Sequence, residues 1–329
     1  MIVRSLKITN FRNYNRFNIT LGSKMNIFIG NNASGKTNIL EAIAILGLTK
    51  SFRNGLDSDV IKFNKKKAII EGRVINNKQI KDLKIEFLEK DKNIFVNDKK
   101  VKKYADYLSN LNIIVFTPND LDIIKGSPSI RRNLLNITLS QISYSYLITY
   151  NEYNKILKTR NEYLKILFTN SIADRTYLDV LTDKLVEKAI LIYQERYNYL
   201  SLINSYISEV YNNITDDNKI IKVLYKPNII IDSYDLESLK EVLRDTYKKN
   251  YRRELSVGMT LFGPHRDDFC FLMDDNTDMK IYASQGQQKC AVLAYKLSSI
   301  PIFKENNGSN PVLLLDDIFS ELDLNKRNK

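Results

Sequence analysis

Residues 25–41, MNIFIGNNASGKTNILE, constrain this chain more tightly than any other stretch. Five apolar, strand-like residues, Met25 to Ile29, run into Gly30-Asn31-Asn32-Ala33-Ser34-Gly35-Lys36-Thr37, and an apolar-periodic segment begins at Asn38-Ile39-Leu40. The predicted order is strand, glycine loop, helix. The spacing G-x-x-x-x-G-K-T has a mechanical reason: its glycines let the backbone wrap so that successive amides point inward around the phosphates of a nucleotide. The helix after Thr37 adds its positive N-terminal end. Lys36 is expected to reach the β- and γ-phosphates, and the Thr37 hydroxyl to ligate Mg²⁺.

The rest of the composition narrows the class. At 329 residues with 43% hydrophobic content, the chain can bury the core of one large or two ordinary domains. Its 50 Lys and Arg against 38 Asp and Glu give a net charge of +12, which points to a polyanionic partner, nucleic acid ahead of an acidic membrane surface. Solubility alone is the competing explanation. The two cysteines, Cys270 and Cys290, stand apart with no C-x-x-C pair and read as small buried residues of a reducing compartment. No apolar run approaches the roughly 20 residues that span a bilayer, and the N-terminus has no apolar signal core, so a cytoplasmic location is expected.

Along the chain, Ile2, Leu6, Ile8 and Phe11 suggest an edge strand leading to a turn at Asn13-Tyr14-Asn15. Arg12, just before the loop strand, is a candidate nucleotide or DNA contact or else a solvated charge. Residues 68–75, 82–88 and 93–96 alternate as half-exposed antiparallel strands of a small β-subdomain. Residues 111–116 form a continuous apolar run and are expected to be a buried strand. From about Asp120 the pattern turns helical. Tyr146, Tyr150, Tyr153, Leu157, Leu164 and Leu167, interrupted by Arg160, and then Leu178, Leu181, Leu185, Ile192, Tyr199, Leu202 and Tyr206 predict an antiparallel helical hairpin. Its tyrosines read as core ahead of base-stacking groups. Short β-like pieces at 222–225 and 229–231 precede a third helix ending near Gly258, which carries Lys248, Lys249, Arg252 and Arg253, a candidate phosphate contact or a solvated face. His265, the sole histidine, lies in Gly263-Pro264-His265-Arg266-Asp267-Asp268, where it acts on a phosphate, orients an acid, or is structural. A strand pair is expected around Asp275-Asn276.

Two late motifs complete the pattern. Residues 311–315, PVLLL, predict a buried strand ending in Asp316-Asp317. In a chain with a phosphate loop this is the expected second half of an ATPase site, with Asp316 holding Mg²⁺ through water and Asp317 polarising the attacking water. Ser284-Gln285-Gly286-Gln287 at the head of a helix offers a hydroxyl, open amides and a helix N-terminus to an anionic γ-phosphate.

With these motifs in order, LKITNFRNY, GNNASGKTN, KSFR, FTPNDL, GSPSIRR, TLFGPHRDD, ASQGQQK and LLLDDIFSELD, the sequence resembles the RecF family of bacterial gap-repair proteins, whose head is similar to those of the SMC-class DNA ATPases. The resemblance spans Leu6 to Asp323. It implies an α/β ABC/SMC-type ATPase head with a mixed sheet and an antiparallel β-subdomain, plus a mostly helical second lobe. The implied domains are 1–119 and 256–329 for the two halves of the head and 120–255 for the lobe. ATP and Mg²⁺ would be the cofactors, and Ser284 and Gly286 would clasp the ATP of a partner subunit in a homodimer. Weak DNA-stimulated ATPase activity, binding to gapped and double-stranded DNA, and RecO and RecR partners in recombinase loading are likewise implied. Three departures stand out: Asn136 where the family usually has aspartate, Lys289 where arginine is typical, and an end six residues after Asp323. The core sheet is therefore expected to lack a strand, with γ-phosphate sensing affected. The rivals are a transporter nucleotide-binding subunit, disfavoured because Ser284 lies 247 positions beyond Thr37, a long-armed chromosome-organising ATPase, disfavoured by the short helical lobe, and a hydrolysis-deficient DNA-binding module.

Overall fold

The computed structural model describes residues 1–53, 55–77, 79–169 and 174–317. The chain opens with β1 (Ile2–Phe11), β2 (Tyr14–Thr20) and α1 (Lys36–Leu48), then β3 (Lys67–Asn76), β4 (Gln79–Leu88), β5 (Lys92–Val96), β6 (Lys99–Lys100), the short α2 (Ala105–Leu108) and β7 (Ile113–Phe116). A helical stretch follows: α3 (Asp122–Lys125), α4 (Pro128–Ile142), α5 (Tyr144–Thr169) and α6 (Arg175–Thr215). The remainder is β8 (Ile221–Lys226), α7 (Leu236–Val257), β9 (Asp268–Met273), β10 (Thr277–Asp278), α8 (Met279–Tyr282), α9 (Gln285–Asn307) and β11 (Val312–Leu315).

These elements form two compact units, residues 1–120 with the described residues from 299 onward, and residues 121–298. The divisions fall at 120/121 and 298/299, whereas the sequence placed the second near 255. Pairing explains the difference. β9 completes a sheet with β8, and Asp268 at its start binds Arg131 of α4, so residues 256–298 pack with the helical unit.

The first unit is built on a six-stranded antiparallel sheet ordered β2-β1-β3-β4-β5-β6. β1 is an interior strand, between β2 and β3. The alternation in residues 14–20 went unread, and because Tyr14–Thr20 folds back on β1 as β2, the expected edge position passes to β2. Val3, Leu6, Ile8 and Phe11 of β1 pack with Ala68, Ile70 and Val74 of β3 and Leu83, Ile85 and Phe87 of β4 under the apolar face of α1. α1 also approaches β7 very closely: a Cβ placed on Gly47 would lie 2.4 Å from Ile113 Cδ1 and 2.7 Å from the Leu111 carbonyl oxygen. Glycine at 47 sets that approach.

β7 and β11 form a parallel pair, Val312 opposite Ile113 through Leu315 opposite Phe116. Two expectations are corrected here. β11 is not wholly buried, since Leu313 and Leu315 are 39% and 44% exposed. Residues 25–29 form no strand at all, and Met25, Ile27 and Ile29 are 80%, 73% and 91% exposed. An extended segment becomes a strand only when a neighbour takes its amides and carbonyls, and no described strand runs beside this one. Asn26 instead exchanges hydrogen bonds with the backbone of Gly22, a local alternative to a ladder.

In the second unit α5 and α6 make the predicted hairpin, and α6 runs for 41 residues. Tyr146, Tyr153 and Tyr199 are buried as core, while Leu202 turns out to be exposed. Arg160 does not break the pattern. It is buried and holds three elements together through Glu254 of α7 at 2.7 Å, Thr182 of α6 at 2.9 Å and Thr260 at 2.7 Å. A second buried arginine, Arg196, binds Asp267 (3.2 Å), the Pro264 carbonyl (2.7 Å) and Asn136 (2.9 Å). Residues 229–231, expected as β-like, lie outside the β8-β9-β10 sheet; the amide and side chain of nearby Asn228 bind Asp267 and the Leu261 carbonyl instead.

Gly47→Ala is expected to lower stability by about 1–3 kcal/mol through overpacking against β7, read by urea unfolding. Gly22→Ala, whose added Cβ would meet nothing closer than 3.4 Å, serves as the neutral control. Equal midpoints for the two variants would refute the close-packing account.

Candidate nucleotide-binding site

The phosphate loop takes its shape from two left-handed residues, Ala33 (φ 64°) and Gly35 (φ 100°), and from a turn closed by Ser34 N–H on the Asn31 carbonyl. Gly35 is the residue before α1, and any side chain there would collide with Tyr14 Oη at 2.7 Å. α1 begins at Lys36 with neither a capping side chain nor an acid in its first turn. Its leading amides are therefore left for an anion. Gly30, Asn31, Asn32, Ala33 and Ser34 are exposed. Lys36 Nζ donates to the carbonyls of Gly30 (2.6 Å) and Asn31 (3.0 Å), which holds the cation over the loop.

Thr37 Oγ1 donates to Asp316 Oδ1 at 2.9 Å, across 279 positions of sequence. The parallel register of β7 and β11 sets this contact: Asp316 follows Leu315, and its amide continues the ladder to the Phe116 carbonyl at 3.0 Å. A hydroxyl and a carboxylate oxygen converging beside a phosphate loop are the hard oxygen donors that Mg²⁺ takes, so these residues fit that ion. Asp317 is exposed one residue further on, in the left-handed region (φ 52°). Ser320, Glu321, Leu322 and Asp323 lie outside the described residues.

Behind the loop sits a carboxylate that the sequence reading passed over. Glu41, one turn beyond Thr37 on α1, is fully buried. Arg12 binds it with two donors, Nε at 3.1 Å and Nη2 at 2.5 Å, Ser51 Oγ donates at 2.5 Å, and Arg53 lies 3.4 Å away. Arg53 also reaches Asn38, which in turn binds Asn13. Arg12 is thus a brace of the loop-bearing helix, held in a charge-assisted two-point contact. The available signal was a lone acid among the apolar residues of NILEAIAIL.

The remaining candidates separate by unit: Lys36, Thr37 and Asp316 belong to the first, Ser284–Gln287 to the second. Ser284 begins α9 with a capping box, its amide donating to Gln287 Oε1 (2.9 Å) and its Oγ accepting from Gln287 N–H (3.2 Å). Ser284, Gln285 and Gly286 are exposed, beside Ile281 and Tyr282 at 70% and 71% exposure. Gln288 is buried and donates to the Met279 carbonyl. Lys248, Lys249, Arg252 and Arg253 are all exposed on α7, and Lys249 faces Asp245 at 3.6 Å.

His265 is structural. Its Nε2 faces the Thr260 carbonyl at 3.2 Å, and its Nδ1 faces Tyr153 Oη at 2.6 Å. A carbonyl only accepts, so Nε2 carries the proton and Tyr153 donates to Nδ1. Burial lowers its pKa to about 4.

The strand-end carboxylate on the loop threonine and the uncapped helix that follows the glycine loop are the parts of a phosphate-loop ATPase head of the SMC class. The Smc head domain of Pyrococcus furiosus shares the fold, with a TM-score of 0.50 at 13% identity over 96% of this chain and 89% of that one. Within that class the chain belongs to the RecF family: the family model described as RecF/RecN/SMC N terminal domain matches residues 2–329. The DNA replication and repair protein RecF of Listeria welshimeri is 37% identical over 323 residues, covering 98% of this chain and 87% of that protein. A solved structure of the recombination mediator protein RecF with ATP, of the RecFOR pathway, matches with a TM-score of 0.93 at 32% identity over 99% of this chain and 87% of that one.

Because folding depresses the His265 pKa from 6.5 to about 4, the unfolded chain binds the extra proton between those values. Stability is therefore unaffected by this group above pH 6.5 and falls as pH drops toward 4, by up to about 1.4 kcal/mol per pH unit. Denaturant unfolding across that window is expected to lose this component of its slope in His265→Gln. An unchanged slope would show that the ring titrates freely in the folded protein.

Proposed function

We propose that this chain is an ATP-dependent DNA-binding protein of recombinational repair and replication restart. ATP promotes homodimerisation and binding at single-strand gaps and duplex junctions, and slow hydrolysis resets the cycle. The observation that supports this reading is the 2.9 Å bond that joins the loop residue Thr37 to the strand-end carboxylate of Asp316, in a chain whose relatives carry the name DNA replication and repair protein.

In this reading Lys36 and the open amides of α1 hold the β- and γ-phosphates, Thr37 and Asp316 hold Mg²⁺, and Asp317 positions water. Bound Mg²⁺ neutralises phosphate charge. Ser284, Gln285, Gly286 and Gln287 clasp the nucleotide of a second copy. The exposure of Ile281 and Tyr282 next to that signature supports a surface that a partner covers. Lys248, Lys249, Arg252 and Arg253 contact DNA phosphates, in keeping with a net charge of +12. RecO and RecR act with it in recombinase loading, and it works in the cytoplasm; no helix among the described residues is long and apolar enough to cross a membrane.

One observation favours a second reading, a DNA-binding module without turnover. The segment leading into the loop is unpaired, with Ile29 91% exposed, so the loop is braced from the α1 side and the β1–β2 hairpin alone among the described strands. A DNA-stimulated ATPase rate above background excludes this second reading.

Lys36→Met is expected to abolish ATP-driven dimerisation in light scattering and ATP-dependent DNA binding; dimers that persist would count against the site. Ser284→Arg is expected to keep nucleotide binding by the monomer and block the dimer. Loss of monomer binding in that variant would contradict its role toward a partner.

A further inference from the structure

The first unit carries a basic turn that the function above does not use. Residues 61–67 read IKFNKKK. Lys65 N–H closes a turn on the Lys62 carbonyl at 3.0 Å, with Asn64 in the left-handed region (φ 60°). This conformation, which asparagine tolerates better than most residues, leaves Phe63 at the tip, 86% exposed. Lys65, Lys66 and Lys67 follow it, all exposed. Among the described residues no carboxylate pairs with Lys62, Lys65, Lys66 or Lys67. The acids just upstream are already engaged, Asp57 by Lys92 at 2.7 Å and Asp59 by the Leu56 amide at 2.8 Å.

The turn is anchored to the phosphate-loop end of its unit. Lys62 N–H donates to the Asn10 carbonyl (2.9 Å), Arg12 N–H to the Val60 carbonyl (2.8 Å), and Ile61 bridges to Phe11. Lys62 Nζ donates to the Asn13 carbonyl at 2.8 Å, while the side chains of Asn13 and Tyr14 reach Asn38 and the Gly35 carbonyl. The cations therefore stand on a fixed platform and not on a loose tail.

Three adjacent unpaired ammonium groups repel one another, and an aromatic ring at a turn tip leaves its apolar faces in water. A single class of partner relieves both: backbone phosphates neutralise the lysines, and an unpaired base covers the ring. We propose that the Lys62–Lys67 turn is a nucleic-acid contact, with Lys65, Lys66 and Lys67 on the phosphates and Phe63 stacked on a base that has left its duplex. The proposal rests on the DNA-binding reading above and adds to it a contact in the first unit and a residue, Phe63, to cover the unpaired base. An anionic membrane would also attract the lysines, but its anchoring needs a broad apolar face, and the turn offers one ring.

The test uses the whole chain with ATP and two substrates, gapped and fully duplex DNA, over a salt series. Each duplex phosphate neutralised contributes about 0.9 to the slope of log affinity against log salt. The Lys65→Ala/Lys66→Ala/Lys67→Ala variant is expected to bind both DNAs more weakly, with a slope shallower by about 2–3, while nucleotide binding stays at the wild-type level. Phe63→Ala is expected to reduce the preference for gapped over duplex DNA and leave the salt slope unchanged. If both variants bind like the wild type while the Lys248/Lys249/Arg252/Arg253 alanine variant loses affinity, the DNA reading stands and this contact is refuted. A wild-type chain that binds neither DNA overturns the DNA reading itself. If the triple variant keeps DNA binding but loses binding to phosphatidylserine vesicles, the turn is a membrane contact and the proposal falls.

Discussion

The contact between Thr37 and Asp316 depends on three placements that the sequence encodes far apart. α1 must start at Lys36, which Gly35 permits by taking a left-handed backbone that a side chain would strain. β11 must pair with β7 in the register that sets Leu315 opposite Phe116. α1 and β7 must also approach to the distance that Gly47 allows. None of these is strong alone, and a hydrogen bond to a charged group such as the Asp316 carboxylate contributes only about 1.5–3 kcal/mol. The site is held by the packing that aims it, with Glu41 and Arg12 fixing the helix from behind.

The second unit solves a different problem, that of holding long helices in one arrangement. It does so with buried ions: Arg160 on Glu254, and Arg196 on Asp267. Such pairs are poor sources of net stability, because desolvation offsets most of their attraction, yet leaving one partner alone costs about 3–5 kcal/mol. They therefore penalise misregistered packing more than they reward correct packing. Asp267 also accepts from Tyr193, Tyr225 and the Asn228 amide. Asn136 suits this environment, because its carbonyl accepts from Tyr146 and Arg196 while its amide donates to Tyr150; a carboxylate could not donate.

Legibility in the sequence followed the range of the interactions. Helices with sustained 3-4 spacing and strands with clean alternation were visible, because burying one face is a local pattern. The phosphate loop and the carboxylates after PVLLL were visible because the chemistry restricts residue type and spacing. What escaped was pairing. β1 looked like an edge because the alternation of its partner β2, beyond the turn at 13–15, went unread, and residues 25–29 looked like a strand because composition cannot reveal whether a neighbour is present. Arg160 and Arg12 looked exposed or interruptive because their partners, Glu254 and Glu41, lie 94 and 29 positions away. The GPHRDD segment left chemistry and packing open, and the partners decide for packing, since its His265 and Asp267 are taken up by tyrosines and an arginine.

The capping box at the head of α9 occupies only part of the Ser284 hydroxyl. Ser284 Oγ accepts from the Gln287 amide, and removing such a cap typically costs about 0.5–2 kcal/mol. That bond takes a lone pair and leaves the hydroxyl proton unused, so a group that accepts from it need not break the cap. Holding the first turn and presenting a donor are tasks that one serine performs at once.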